Sequence, residues 1–181
     1  MIPDLRFNNP PPPRLAALRA DDSAAVQALM EAFARGLARE GFSVAGVVQT
    51  RVTEQEGRRR VVLRDLESDA LYPISQDLGP GSVACKLDSG ELAQACAGIE
   101  RAARSGADLV VISKFSKQEA ERGGLVDAFR AAIASRVPIL CAVSPDFLEE
   151  WRAFAGPLAE FVAPEHGALA EWWERARAGS G

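Results

Sequence analysis

Apolar positions along this chain follow two rhythms, one of strands and one of helices. Leu15 to Leu18 is a short apolar run that predicts a strand. After a polar break, Val26, Leu29, Met30, Phe33 and Leu37 recur at steps of three and four, which puts one apolar face on a helix from about Ser23 to Glu40, ended by Gly41. Ser43 to Thr50 and Arg59 to Leu66 are β-rich and separated by a polar stretch containing Gly57, the pattern of an antiparallel hairpin, and Leu71 to Ser75 extends it as a meander. Beyond the loop Asp77 to Gly81, Ser82 to Leu87 reads as a strand and Gly90 to Arg104 as a helix. Ala107 to Ile112 is continuously apolar, as expected of a parallel strand covered on both faces. The unit then repeats: helix Leu125 to Ser135, strand Val137 to Val143, a helix start at Ser144-Pro145-Asp146, strand Glu160 to Ala163 and helix Ala168 to Ala178. Strands alternating with helices predict a three-layer α/β fold, a mainly parallel mixed sheet with helices on both faces and an antiparallel hairpin insertion.

Five of the eleven prolines fall within the first thirteen residues, so 1–13 reads as a proline-rich arm and 14–178 as one α/β domain. With 181 residues, 48% hydrophobic and 25% charged, the chain is long enough and apolar enough to bury a core unaided. A net charge of −4 argues against a general nucleic-acid or membrane-surface binder. The hairpin arginines Arg51, Arg58, Arg59, Arg60 and Arg64 have no aromatic residues among them, so they read as a solvated tip that discourages edge pairing. Three cysteines without a CxxC pair and a single histidine, His166 in a loop, give no zinc-type spacing. No metal or cofactor is expected. Without a signal-peptide pattern or an apolar stretch near 18 residues, the expectation is a cytoplasmic protein.

In sheets of this kind ligands bind beyond the carboxyl ends of the strands, where helix N-termini offer free N–H groups. The first junction carries Asp21 and Asp22 and no glycine occurs before Gly36, so a phosphate-wrapping GxxxxGK[ST] loop is not encoded. The third junction is self-capped by Ser144 and Asp146. The second follows the Ala107 to Ile112 strand and gathers Ser113, Lys114, Ser116, Lys117, Gly123 and Gly124, with Glu119 available as an acid, a base or a ligand. This is the expected anion site, with Lys114 as the charge contact, Lys117, Ser116 and Ser113 in support, the two glycines allowing close approach, and Lys86 reaching in from an adjacent strand. Cys85 beside Lys86 is the candidate reactive thiol, whereas Cys96 and Cys141 should be buried. Of Trp172 and Trp173, one should pack while the other meets a partner or the rim.

The segments GVVQT, GSVACKLD and ISKFSKQEAERGG, in that order, resemble an uncharacterised bacterial family related to the P-loop nucleoside-triphosphatases, whose genes tend to lie near molybdenum-transport and nitrogen-fixation genes. The resemblance covers roughly residues 15 to 145. It implies a P-loop fold, with the relatives' phosphate loop falling at Ala20 to Ser23 and their acidic strand end at Ser113-Lys114. Neither position carries the residues that phosphoryl transfer requires. The expectation is a non-hydrolytic accessory or ligand-binding protein, tied to molybdenum or cofactor metabolism by genomic analogy, with a small anionic ligand and a homodimer or protein partner left open. The alternatives are a nucleoside-triphosphate phosphohydrolase with a relocated phosphate site, a transferase using Cys85, or a protein-interaction module.

Overall fold

Alternating side-chain direction decides how the apolar runs of this chain pack. The computed structural model describes residues 14–53, 57, 59–74 and 89–179. The proline-rich arm, the strand expected at Ser82 to Leu87, Cys85 and Lys86 lie outside the described residues. Among the described residues seven strands, β1 (Leu15–Arg19), β2 (Val44–Thr53), β3 (Arg59–Asp65), β4 (Leu71–Pro73), β5 (Leu109–Phe115), β6 (Ile139–Val143) and β7 (Ala159–Phe161), form one sheet in the order β4-β3-β2-β5-β6-β1-β7. The pairs joining β2, β5, β6, β1 and β7 are parallel, while β2, β3 and β4 pair antiparallel. The mixed sheet and its hairpin are as the pattern predicts, and Gly57 at the turn adopts the left-handed φ of 75°.

The helices are α1 (Ser23–Arg39), α2 (Ser89–Arg104), α3 (Lys117–Ala120), α4 (Val126–Ala134), α5 (Leu148–Ala155) and α6 (His166–Ala178). Ala16, Leu18, Val111, Leu140 and Ala142 turn toward α1 and α6. Their neighbours Leu15, Ala17, Val110, Ile112 and Cys141 turn toward α2, α4 and α5. Every residue of β6 is buried, which is why its run is unbroken by polar residues.

Four expectations change. The strand expected over Ala107 to Ile112 starts two residues later and runs three further, through Ser113 and Lys114 to Phe115. A β-bulge against β6 absorbs the polar pair, and Phe115 returns to the core against Phe129, Trp151 and Phe154. His166 opens α6 rather than lying in a loop. Trp172 and Trp173 are both buried, at 0% and 4% exposure. They lie about 100° apart on the helix, yet Phe42 packs over Trp173 edge-on at 5.3 Å, so both are buried, with Trp173 in the wall of a groove. Finally, Glu119 is turned inward.

Candidate functional site

Where consecutive connections leave adjacent parallel strands toward opposite faces, a crevice opens at the carboxyl edge of the sheet. Here β1 leads to α1 on one face and its neighbour β6 leads to α5 on the other, so the crevice lies between β1 and β6, one strand away from the expected site at the end of β5. Local bonds fill it. Ala20 N–H donates to the Val143 carbonyl at 3.0 Å, continuing the ladder past the strand ends. Asp22 caps α1, its carboxylate accepting from Ala25 N–H at 3.1 Å and its carbonyl from Val26 N–H at 3.0 Å. Asp21 pairs with Arg19 at 2.9 Å. On the β6 side, Ser144 N–H donates to the Phe115 carbonyl and Phe147 N–H to the Ser144 carbonyl, both at 3.0 Å. At this junction the Ala20, Ala25 and Val26 N–H groups thus have acceptors within the chain, and Asp21 and Asp22 set two carboxylates at the helix start.

The end of β5 is built differently. Lys114 is half-buried and Lys117 is exposed on α3, 3.9 Å from Glu121. Ser113 is only 4% exposed. Ser116 donates its backbone N–H (3.0 Å) and its hydroxyl (3.2 Å) to Glu119 Oε2, within the capping box that opens α3. Glu119 Oε1 takes a third bond, from Leu125 N–H at 3.0 Å. The carboxylate therefore ties together both ends of the Ser116 to Leu125 loop. Burial pushes its pKa up, against the hydrogen bonds, which pull it down.

Gly124 belongs to this lock. Its φ is 58°, and a Cβ placed there would stand 2.2 Å from Glu119 Oε1, so the space that glycine opens is taken by the carboxylate. Gly123 donates its N–H to the Gln118 carbonyl at 2.7 Å. Of the sequence-predicted residues, Ser113 and Lys114 thus lie near the end of β5, Ser116 and Lys117 at the start of α3, and Gly123 and Gly124 in the loop that follows, with Lys114 half-buried and Lys117 exposed beside Glu121. Cys96 and Cys141 are free and buried as expected. Burial lifts the Cys96 thiol to about 11 and raises that of Cys141 further, with the Glu119 charge adding to the latter.

One residue at the mouth went unread. Gln27 on α1 is 4% exposed, accepts from Gln49 N–H at 2.7 Å and donates to the Ser113 carbonyl at 2.5 Å. A polar residue facing inward on an otherwise apolar helical stripe was the available signal. Among the described residues no group of three or more His, Cys, Asp or Glu could hold a metal ion. A groove of about 650 Å³ lies at the opposite, amino-end edge, walled by Arg14, Phe42, Asp108, Arg136, Trp173 and Arg177. There the Arg14 guanidinium donates to the Arg136 and Gly179 carbonyls, and Arg177 pairs with Glu174.

The sheet order and the two helical layers define an α/β fold similar to that of the P-loop nucleoside-triphosphatases. The solution structure of a human cancer-related nucleoside triphosphatase is similar over 91% of this chain and 97% of that one, at a TM-score of 0.63 and 18% identity. The crystal structure of THEP1 from the hyperthermophile Aquifex aeolicus is similar over 88% and 94%, at a TM-score of 0.52 and 11% identity. Residues 15–172 match the family model described as "Protein of unknown function (DUF2478)", and the chain belongs to that family. It is also 36% identical over 163 residues to the molybdenum import ATP-binding protein ModC 2 of Bradyrhizobium diazoefficiens, covering 90% of this chain and 18% of that protein. The chain thus spans less than a fifth of that relative. Among the described residues, no helix is long and apolar enough to cross a membrane.

Proposed function

We propose that this domain is a non-hydrolytic ligand-binding or accessory unit on a nucleoside-triphosphatase-like scaffold, and that its ligand is a small oxyanion held at the β5 mouth. The observation that carries the reading is the make-up of the β1–α1 junction: three residues span it, two of them acidic and none a glycine, and Val143 and Asp22 take the Ala20 and Ala25 N–H groups. A triphosphate there would meet negative charge instead of donors. The acidic strand end that handles Mg²⁺ in nucleotide hydrolysis has its counterpart at Ser113-Lys114, and a lysine cannot coordinate the ion. Lys114 and Lys117 supply the charge for an oxyanion instead. Molybdate is the first ligand to test, because the relative that aligns with most of this chain is named for molybdenum import. That relative's length favours a unit that works beside an ATP-binding component.

Thermal shift against molybdate, tungstate, sulfate, phosphate and nucleotides tests this reading. One oxyanion should stabilise the protein, since a ligand at 100 times its Kd adds about 2.7 kcal/mol. A charge-assisted hydrogen bond is worth about 1.5–3 kcal/mol, so Lys114→Ala should weaken binding roughly ten- to a hundredfold. Unchanged affinity in the Lys114→Ala, Lys117→Ala double variant would refute the site. ATP and GTP with Mg²⁺ should release no phosphate. Turnover at about 1 per second or faster, lost in Lys114→Ala, would refute the non-hydrolytic role.

A further inference from the structure

The sheet changes partners within one strand. β2 pairs with β5 only from Val44 to Gly46, and from Val47 to Thr53 it pairs with β3. The change falls at Gly46, whose φ is 126° and where a Cβ would stand 1.9 Å from the Val111 carbonyl oxygen, so only glycine lets the two backbones meet. Its carbonyl accepts from Leu66 N–H at 2.9 Å, closing the far end of the hairpin onto the same point. Beyond Gly46 the two strands part, and the carboxamide of Gln27 stands between them. It takes the Gln49 N–H on one side and gives an N–H to the Ser113 carbonyl on the other, as an inserted peptide unit would. Ser113 directly precedes Lys114.

The seam between α1 and the β2–β3–β4 meander packs Val44 and Val48 against the apolar face of α1, carries a polar stripe beside them and is incompletely filled. Gln27, Glu31 and Arg35 form a stripe at four-residue steps, and Arg35 reaches Asp69 in the β3–β4 turn at 2.5 Å. A cleft of about 460 Å³ opens along the seam, walled by Ala34, Arg35, Ala38, Arg39, Val44 and Leu66. Arg64 on β3 pairs with Val48, which faces α1, and its Nε is buried without a hydrogen-bond partner among the described residues. A seam close-packed throughout would resist opening; this one adds to its Val44 and Val48 contacts a few directional bonds around a glycine pivot and an unfilled cleft.

We propose that Gln27 is a positioning residue that couples the β5 mouth to the meander, so that an oxyanion held at Lys114 changes how firmly the meander is seated on α1. The pin stands on the bonds above; its response to a ligand rests on the oxyanion reading. Hydrogen exchange on the full chain separates the two. Without ligand, Gln27→Met, which keeps the side-chain length and removes both polar groups, should speed exchange of the Gln49 to Thr53 and Arg60 to Leu63 amides at least tenfold more than that of the β1 and β6 amides. Equal acceleration everywhere, or none, would overturn the pin. With saturating molybdate, the same meander amides should slow in the wild type and not in Gln27→Met. Binding that leaves them unchanged in the wild type would overturn the coupling, whereas failure of molybdate, tungstate, sulfate and phosphate alike to bind removes the oxyanion reading and leaves the ligand-free result to decide the pin. If Gln27→Met does not fold, Gln27→Glu near pH 8 keeps an acceptor for Gln49 N–H and loses the donor to Ser113. It should retain Gln49 protection and lose the molybdate effect; retention of both would overturn the proposal.

Discussion

Gly124 and Gly41 both hold positive φ values, 58° and 98°, yet substitution should affect them differently. At Gly124 a methyl group would collide with Glu119 Oε1, while at Gly41 nothing lies within 4 Å of the added atom. Gly41→Ala should therefore lose only the backbone strain, about 1 kcal/mol, and Gly124→Ala that strain plus the displaced carboxylate, about 3 kcal/mol or more. Urea unfolding of the two variants checks the ordering. Glu119 itself gives a pH signature. Its folded pKa is raised above the ordinary 4.5, chiefly by burial, so its contribution to stability is fully present below that value and is lost as pH rises through the raised one. Compared with Glu119→Gln, the wild type should lose more stability as pH rises above 4.5 through the raised value, and urea midpoints that stay parallel throughout the rise would refute the assignment. The closeness of Ser116, Lys117, Gly123 and Gly124 beyond β5 was legible in the sequence. That Glu119 would consume Ser116 and Gly124 was not, because a capping box and a ligand cradle use the same residue types.

At the level of elements, periodicity carried most of the fold. The α1 stripe, the unbroken β6 run and the basic hairpin all appear where the pattern puts them. The errors cluster where polar residues sit inside apolar structure. Ser113-Lys114 looked like the end of a strand because a bulge that keeps a strand going past two polar residues leaves no local mark. The α6 tryptophans looked like core and rim because Phe42, which covers Trp173, is distant in sequence. The elements also fix the thiols. Cys96 on α2 is buried and lifted to about 11, so near pH 8 about one in a thousand is thiolate, and Cys141 on β6 is fully enclosed. In a Cys85→Ser variant, Ellman's reagent should label neither thiol in the native protein within minutes and both in denaturant. Fast native labelling would mean that α2 or β6 opens locally.

Across the whole molecule, the Arg14 guanidinium at the start of β1 holds the Gly179 carbonyl just past α6, so the first and last described residues sit side by side. Topologically this makes the domain a loop on a string: a longer polypeptide can enter and leave it at nearly one point, and the rest of that polypeptide need not bend around it. Such geometry suits a segment that matches 18% of a much longer relative. It also makes the order of the elements separable from their packing. A circular permutant that joins 179 to 14 through a short glycine-serine linker, with new ends between the exposed Ala163 and Pro164, should unfold cooperatively and lose no more than about 2 kcal/mol, since it breaks no buried contact. A permutant that fails to fold would mean that the order of synthesis, beyond the final packing, is needed to assemble the sheet.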